Sequence, residues 1–197
     1  MYETALYIGR FQPFHNGHLR TLQKAMELAK RVVVGIGSDG VEMDYRNPWS
    51  SSERMGMICG ALPYNTPEGK VVFGFLQDYP YSNEEWANQV IALVQRYTLH
   101  NVYQHKTVMI TGVKKDASSF YLDMFPMWDF VEGSLDEMMN GTDVRNSYFG
   151  GDPIEIWSAH LPESTKEFLL DYQTTERYRL FKQQRELTLL LNKKLAK

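Results

Sequence analysis

The sequence has only one cysteine, no excess of positive charge and no long apolar run. Cys59 alone cannot form an internal disulfide, which favours a reducing compartment. The net charge of −3 provides no general basic surface and argues against nucleic acid as a partner. No apolar stretch is long enough to span a membrane, and the first residues do not resemble a signal peptide. We therefore expect a cytoplasmic protein that binds neither nucleic acid nor membranes.

The chain alternates short apolar runs with helical patterns. Its 197 residues, 43% of them hydrophobic, suffice for the core of one domain. The predicted strands cover residues 4–8, 31–36, 71–76, 107–112 and 128–131. Buried strands separated by helices predict βαβ units and a parallel sheet. We expect a core over residues 1–150 and a helical extension over 151–197, packed on the same domain, with Cys59 packed inside a helix.

The stretch that organises the chain is G-R-F-Q-P-F-H-N-G-H at residues 9–18, between the first predicted strand and a helix. A helix N-terminus offers N–H groups and a positive dipole end to a phosphate. Gly9 and Gly17 would let a ligand or backbone come close. His15 and His18 are three residues apart and, with Arg10, would suit a triphosphate on which charge develops. An ordinary polar turn is the alternative interpretation.

A second helix start follows the second predicted strand. Ser50 and Glu53 have the spacing of a capping box, which predicts a helix from there to about Leu62. Arg54 follows Glu53 directly. The two charged residues could be a surface pair or could contact a ligand, and the sequence does not choose between them.

Two later stretches carry further candidates. Thr142 is the predicted N-cap of a short helix that ends at residues 150–151, and Arg145 in its first turns could form a second phosphate clamp. A capped surface helix with a solvated arginine is the alternative. Trp86 lies on an apolar helix face after Asp78, so it could be core or a platform for a ligand.

Taken together, these motifs resemble the H-x-G-H nucleotidylyltransferase superfamily. The chain is most similar to the nicotinamide mononucleotide (NMN) adenylyltransferases of the archaeal type and to the adenylyltransferase half of bacterial Nudix-linked enzymes. The matching segments are residues 9–18, R-N-P-W-S-S-S-E-R at 46–54, Q-D…W at 77–86, K-D-A-S-S-F-Y-L-D-M-F-P at 115–126 and N-G-T-D-V-R at 140–145. The eight-residue step from Asp78 to Trp86 suits the Nudix-linked branch, although no Nudix box G-x₅-E-x₇-R-E appears.

The resemblance implies a fold and an activity. The fold is a Rossmann-like, doubly wound parallel α/β sheet of about five strands, ordered 3-2-1-4-5, with C-terminal helices. The activity is the formation of NAD and pyrophosphate from NMN and ATP, by direct in-line attack of the NMN phosphate on the ATP α-phosphorus. Mg²⁺ would be held mainly by phosphates and water, with no metal site made of protein side chains. Nicotinic acid mononucleotide is an open alternative acceptor, and a homo-oligomer is expected.

The resemblance also assigns residues to roles. Catalytic roles fall on His15, His18, Arg46 and Arg145. ATP contacts fall on Gly9, Arg10, Phe11, His15, Gly17, His18, Thr111, Gly112, Asn140, Gly141, Thr142 and Arg145. NMN contacts fall on Ile8, Gly9, Ile36, Gly37, Ser38, Arg46, Asp78, Tyr79 and Trp86. Asn140 stands where the related motif has serine, which puts a hydroxyl contact in doubt. Lys114 and Lys115 could attract phosphates or be surface charge.

Three rival functions can be compared with this interpretation. Another phosphorylated acceptor, such as flavin mononucleotide, phosphopantetheine or a sugar or glycerol phosphate, would fit the superfamily, but Asp78 and Trp86 argue against it. A nucleotide-sensing protein without turnover would be expected to have a broken clamp. A class I tRNA synthetase is nearly excluded by the short chain and the absence of a K-M-S-K-S-like loop.

Overall fold

A computed structural model describes residues 1–98, 106–111, 123–133 and 140–195. Its five strands are β1 (Tyr2–Gly9), β2 (Ala29–Asp39), β3 (Val71–Gln77), β4 (Thr107–Thr111) and β5 (Asp129–Glu132). Its seven helices are α1 (Asn16–Leu28), α2 (Ser51–Ala61), α3 (Asn83–Tyr97), α4 (Gly141–Gly150), α5 (Ile154–Trp157), α6 (Glu163–Tyr172) and α7 (Glu176–Leu195).

The strands form one parallel sheet in the order β3-β2-β1-β4-β5, which confirms the predicted fold class and order. β1 lies at the centre, where Leu6 pairs with Val33 of β2 and with Met109 of β4. Because the strands are parallel, the turns that follow them leave from the same edge of the sheet. Ligands of open α/β sheets bind at this edge.

The central strands alternate between two apolar clusters, as the period of two requires. Ala5 and Tyr7 of β1 pack with α1, α2, α4 and α6 on one face, whereas Leu6 packs with α3 on the other. Helices therefore cover both faces, as in a doubly wound sheet. Trp157, Leu161, Leu169 and Tyr172, from the C-terminal part of the chain, belong to the first cluster. Among the described helices, none has the length and apolarity to cross a membrane.

The observed N-cap agrees with the sequence-based prediction at α2 and differs from it at α4. Ser50 and Glu53 form the predicted reciprocal capping box of α2. Thr142 was predicted to cap α4, and that prediction is wrong. The side-chain oxygen of Asn140 accepts the N–H groups of Thr142 and Asp143, at 2.9 and 3.1 Å. Gly151, with a φ of 83°, ends α4 in the left-handed conformation, as expected.

The prediction for Cys59 fails because of helix orientation. Cys59 is exposed rather than packed, because α2 buries Ser51, Arg54, Met57 and Ile58 and so turns Cys59 outward.

The apolar residues of α7 differ in their surroundings. Tyr178 and Phe181 pack on the core, while the leucines at positions 187, 190 and 191 are exposed.

Candidate active site

The two histidines of the H-x-G-H stretch cap α1 reciprocally. Nδ1 of His15 accepts the backbone N–H of His18 at 3.4 Å, and Nδ1 of His18 accepts the backbone N–H of His15 at 3.3 Å. The rings stack with centroids 3.6 Å apart and planes 21° apart. A nitrogen that accepts a hydrogen bond carries no proton, so this bonding pattern assigns the remaining proton of each neutral ring to Nε2. The site therefore presents two Nε2–H donors.

The surroundings keep both rings neutral. Burial, followed by the electrostatic effects of Arg20 and His160, lowers the pKa of His15 to about 4. Burial, and then the neighbouring His15, hold the pKa of His18 well below its ordinary value. At neutral pH the two histidines can thus donate hydrogen bonds, and among the described residues that line the cavity Arg10 and Arg145 are the cations.

The Phe11 side chain packs against His18. Its ring lies edge-on to His18, with centroids 5.0 Å apart, and its side chain is buried. A Cβ added to Gly9 would lie 2.7 Å from the Phe11 ring, so a larger residue there would displace it. Phe11 itself has a φ of 53°. It could meet a ligand only through its backbone, and Gly9 serves close packing in this structure.

The first and second predicted phosphate clamps face each other across one cavity of about 500 Å³. Arg10, Phe11, Gln12 and His18 line one side, and residues 140–143 with Arg145 line the other. The N-terminus of α4 therefore lies opposite the start of α1. Arg10 and His18 of the first predicted clamp therefore share one cavity with Arg145 of the second, whereas His15 is not among its lining residues.

Arg145 joins the two sides. Its Nη1 donates to the carbonyl of Gln12, and its Nη2 donates to Oγ1 of Thr142 at 3.1 Å. Burial, and then the nearby Arg10, lower its pKa to about 10, so it remains a cation at neutral pH. The approach is tight, because a Cβ added to Gly141 would lie 2.6 Å from the Gln12 oxygen.

Gln12 is a positioning residue that the sequence analysis missed. Its side chain is buried, and its amide forms hydrogen bonds with both backbone groups of Trp49. Its Nε2 donates to the Trp49 carbonyl at 2.9 Å, and its Oε1 accepts the Trp49 N–H at 3.3 Å. With its own carbonyl bound by Arg145, Gln12 connects α4 to the segment before α2. Only its place inside the motif could have singled it out.

Arg54 lies beneath the site and is 1% exposed, so its interpretation as one half of a surface pair is wrong. Its Nη1 donates to the carbonyls of Arg10 and Gly37, at 2.7 and 2.6 Å. Its Nη2 donates to Oγ of Ser51 at 2.9 Å. Burial lowers its pKa to about 10, an effect that Asp39 partly offsets. Arg54 thus ties the turn after β1 and the end of β2 to the start of α2.

The residues predicted to contact NMN are spread along the ends of β2 and β3. Ile36 is buried, so only its backbone could reach a ligand. Ser38 follows it with a φ of 54°. Asp78 is exposed at the end of β3, and its charge acts on Arg54. Trp86 is partly buried on α3, with its ring 6.1 Å from that of Phe125. Gly37 lies near the end of β2, and Tyr79 follows β3. Ile8 lies near the end of the neighbouring strand β1.

The other predicted site residues lie away from the cavity or outside the described residues. Arg46 is exposed and does not line the cavity, and its guanidinium lies 5.3 Å from the centre of the Tyr45 ring. Thr111 ends β4, at the carboxyl edge of the sheet. Gly112, Lys114 and Lys115 fall outside the described residues. Within the described ranges, no cluster of three or more His, Cys, Asp or Glu side chains could hold a metal ion.

Comparisons with known proteins agree with this geometry. The sequence matches the cytidylyltransferase-like family over residues 6–109. It is 34% identical over 183 residues to a nicotinamide/nicotinic acid mononucleotide adenylyltransferase of Acinetobacter baylyi, covering 92% of this chain and 93% of the relative. This chain belongs to the NMN adenylyltransferases of the cytidylyltransferase-like family.

Two further NMN adenylyltransferases show how far the similarity extends. The nicotinamide-nucleotide adenylyltransferase of Thermococcus sibiricus is 28% identical, over 89% of this chain and 87% of its own length. A bifunctional NMN adenylyltransferase/ADP-ribose pyrophosphatase from Francisella tularensis, solved with AMP and a manganese ion, matches the whole chain with a TM-score of 0.87 and 25% identity. The match covers 56% of that longer chain.

The reciprocal cap predicts the proton positions on the two histidines. At pH 7, ¹⁵N NMR of the imidazoles should show both rings with the proton on Nε2. On acidification His15 should stay neutral until about pH 4. The unfolded chain binds these protons at the ordinary pKa of 6.5, so stability should fall as the pH drops below that value and level off below the folded pKa values. Titration of both rings near the ordinary value would contradict the reciprocal cap.

The contact between α4 and Gln12 predicts unequal effects of two glycine substitutions in one helix. Gly141→Ala should cost about 1–3 kcal/mol of stability, because its Cβ would overlap the Gln12 carbonyl. It should also displace Arg145. Gly150→Ala is the matched control, since its Cβ would come no closer than 3.7 Å to any other residue and alanine favours a helix. Chemical denaturation of both variants is the measurement, and equal stabilities would disprove the tight approach.

Proposed function

We propose that this chain transfers the adenylyl group of ATP to NMN, forming NAD and releasing pyrophosphate. The observation that carries the proposal is the single cavity on which His18, Arg10 and Arg145 converge, between two helix N-termini. Such a cavity suits a triphosphate. The 34% identity to an Acinetobacter enzyme that is named for this reaction supports NMN as the acceptor.

The reaction requires that the protein position the two substrates and stabilise the charge that develops on their phosphates. No covalent intermediate is needed. An oxygen of the NMN phosphate attacks the α-phosphorus of ATP, the new P–O bond forms, and the bond to the leaving pyrophosphate breaks. Negative charge then grows on the pyrophosphate. The Nε2–H groups of His15 and His18 donate to the phosphate oxygens, while Arg10 and Arg145 supply fixed positive charge. The helix N-termini add aligned N–H groups on both sides.

The acceptor would lie along the ends of β2 and β3. In this proposal Arg46 binds the NMN phosphate, Asp78 lies beside the nucleoside, and Trp86 stacks on the nicotinamide ring. The nicotinamide of NMN is cationic, and an indole face attracts a cation. The partly buried position of Trp86 on α3 is compatible with this contact.

Mg²⁺ accompanies ATP in this proposal as the neutralising ion for the pyrophosphate charge. The described residues offer no cluster of metal-ligating side chains. A metal ion would therefore enter with the triphosphate and be held mainly by phosphate oxygens and water, as Mg²⁺ prefers. The manganese ion of the Francisella protein supports the use of a divalent metal.

The direct test is an assay of the purified chain with ATP, Mg²⁺ and one acceptor at a time. NMN, nicotinic acid mononucleotide, flavin mononucleotide and phosphopantetheine should be compared, with each product identified by mass. We expect NAD from NMN. Comparable turnover of nicotinic acid mononucleotide would extend the proposal to the dual specificity that the Acinetobacter enzyme's name records. A product only from another acceptor would replace NMN, and no product from any would favour a nucleotide-sensing protein.

Variants of Trp86 distinguish stacking on the nicotinamide ring from packing in the protein core. Trp86→Ala should weaken NMN binding by about 1–2 kcal/mol, the range of a desolvated cation–π contact, and leave ATP binding unchanged. Trp86→Phe keeps an aromatic face and should retain most activity. The measurements are the thermal midpoint and separate NMN and ATP titrations of each variant. A strongly lowered midpoint with equal loss for both ligands would show that Trp86 serves the core alone.

A further inference from the structure

The C-terminal helix α7 contacts the segment that contains Arg46. We call residues 43–53 the Arg46 segment. Arg177, near the start of α7, forms an ion pair with Glu53 and donates to the sulfur of Met43 at 3.7 Å. The Arg177 guanidinium also lies 5.1 Å from the centre of the Tyr172 ring. One side chain of α7 therefore contacts both ends of the Arg46 segment.

Glu53 shares its carboxylate between two tasks. Its Oε2 accepts the N–H of Ser50 at 2.8 Å and so caps α2, while its Oε1 accepts from Arg177. Removing Arg177 would leave the capping bond in place. Tyr172 adds a second anchor, because its hydroxyl donates to the carbonyl of Pro48 at 3.1 Å. The start of α2 is therefore held from α6 and α7 as well as from within.

A second contact from α7 reaches the residue beside Arg46. Oε1 of Gln184 accepts the backbone N–H of Tyr45 at 3.1 Å. The Tyr45 hydroxyl in turn accepts from Nε of Arg46 at 3.0 Å. Oδ1 of Asp44 fixes the backbone, since it accepts the N–H groups of Arg46 and Asn47 at 2.8 and 2.7 Å. A continuous chain of bonds thus runs from α7 to the Arg46 guanidinium.

The segment needs such support because its first half has no regular structure. Residues 41–50 form neither helix nor strand. An exposed arginine on an irregular loop would lose conformational freedom on binding a phosphate, and that loss weakens binding. Contacts that hold the loop before the ligand arrives reduce this entropy loss.

We propose that Arg177 and Gln184 are positioning residues that hold Arg46 for the phosphate of the acceptor nucleotide. The C-terminal helix then sets the affinity for the acceptor without touching it. This inference rests on the proposed function, because it takes Arg46 as the contact to the NMN phosphate. ATP lies against α1 and α4 in that proposal, while Arg177 and Gln184 bond to the Arg46 segment, so the affinity for ATP should not depend on these two side chains.

The experiment compares matched pairs on the same helix. Arg177→Ala is paired with Arg179→Ala, because Arg179 forms only a solvent-exposed pair with Glu176 among the described residues. Gln184→Ala is paired with its exposed neighbour Gln183→Ala. KM is measured for NMN at saturating ATP and for ATP at saturating NMN, well below the thermal midpoint of each variant. NMN and ATP are also titrated calorimetrically, so binding is read without turnover.

Arg177→Ala and Gln184→Ala should each raise KM and Kd for NMN about three- to tenfold, while the values for ATP stay unchanged. Both controls should behave like the wild type. Arg177→Lys keeps the charge beside Glu53 but loses the planar fork, so it should recover part of the NMN affinity.

The outcomes separate the two proposals. If the wild type forms NAD but Arg177→Ala leaves KM and Kd for NMN unchanged, the positioning role is overturned while the proposed function stands. Equal losses for NMN and ATP, with a lowered thermal midpoint, would likewise show that Arg177 only stabilises the fold. If the wild type forms no NAD and binds no NMN, the proposed function itself fails.

Discussion

One buried cation, Arg54, sets the geometry at the carboxyl edge of the sheet. Its guanidinium holds a carbonyl just after β1 and a carbonyl near the end of β2, together with Ser51 at the start of α2. Backbone carbonyls at strand ends need donors when they are buried, and a buried guanidinium needs several acceptors to offset its desolvation. Each requirement satisfies the other here. The turn after β1, the end of β2 and the start of α2 therefore form one edge, and the histidines, Gln12 and the Arg46 segment are all attached to it.

Local sequence patterns predicted most of the fold and the principal residues of the candidate site. Apolar runs located the strands, the Ser50–Glu53 spacing located α2, and the H-x-G-H resemblance placed His18 and Arg145, which share a cavity. What the sequence could not reveal depends on partners distant in the chain. Arg54 looks like an ordinary helix charge until its acceptors are known. Asn140 and Thr142 can both cap a helix, and neither the spacing nor the composition chooses between them.

The two histidines combine a structural and a chemical role in the same rings. Each Nδ1 completes the start of α1, and this fixes which nitrogen can donate to a ligand. The cap therefore prepares the donors before any nucleotide arrives, which is the preorganisation that electrostatic catalysis requires. Burial adds to this by keeping the rings neutral, so that the arginines of the same cavity provide its charge. The same helix start is thus a structural terminus and, in the proposed function, a binding surface.

The central position of β1 has a consequence for folding. Thr4 pairs with Thr107, so the strand that leads into the H-x-G-H turn is completed only by a partner far along the chain. Pairings between such distant residues close large loops and form slowly. During synthesis the histidines leave the ribosome well before β4 and Arg145 exist. A nucleotide could not stabilise the early chain, and the first motif to be made would be among the last to become competent for binding.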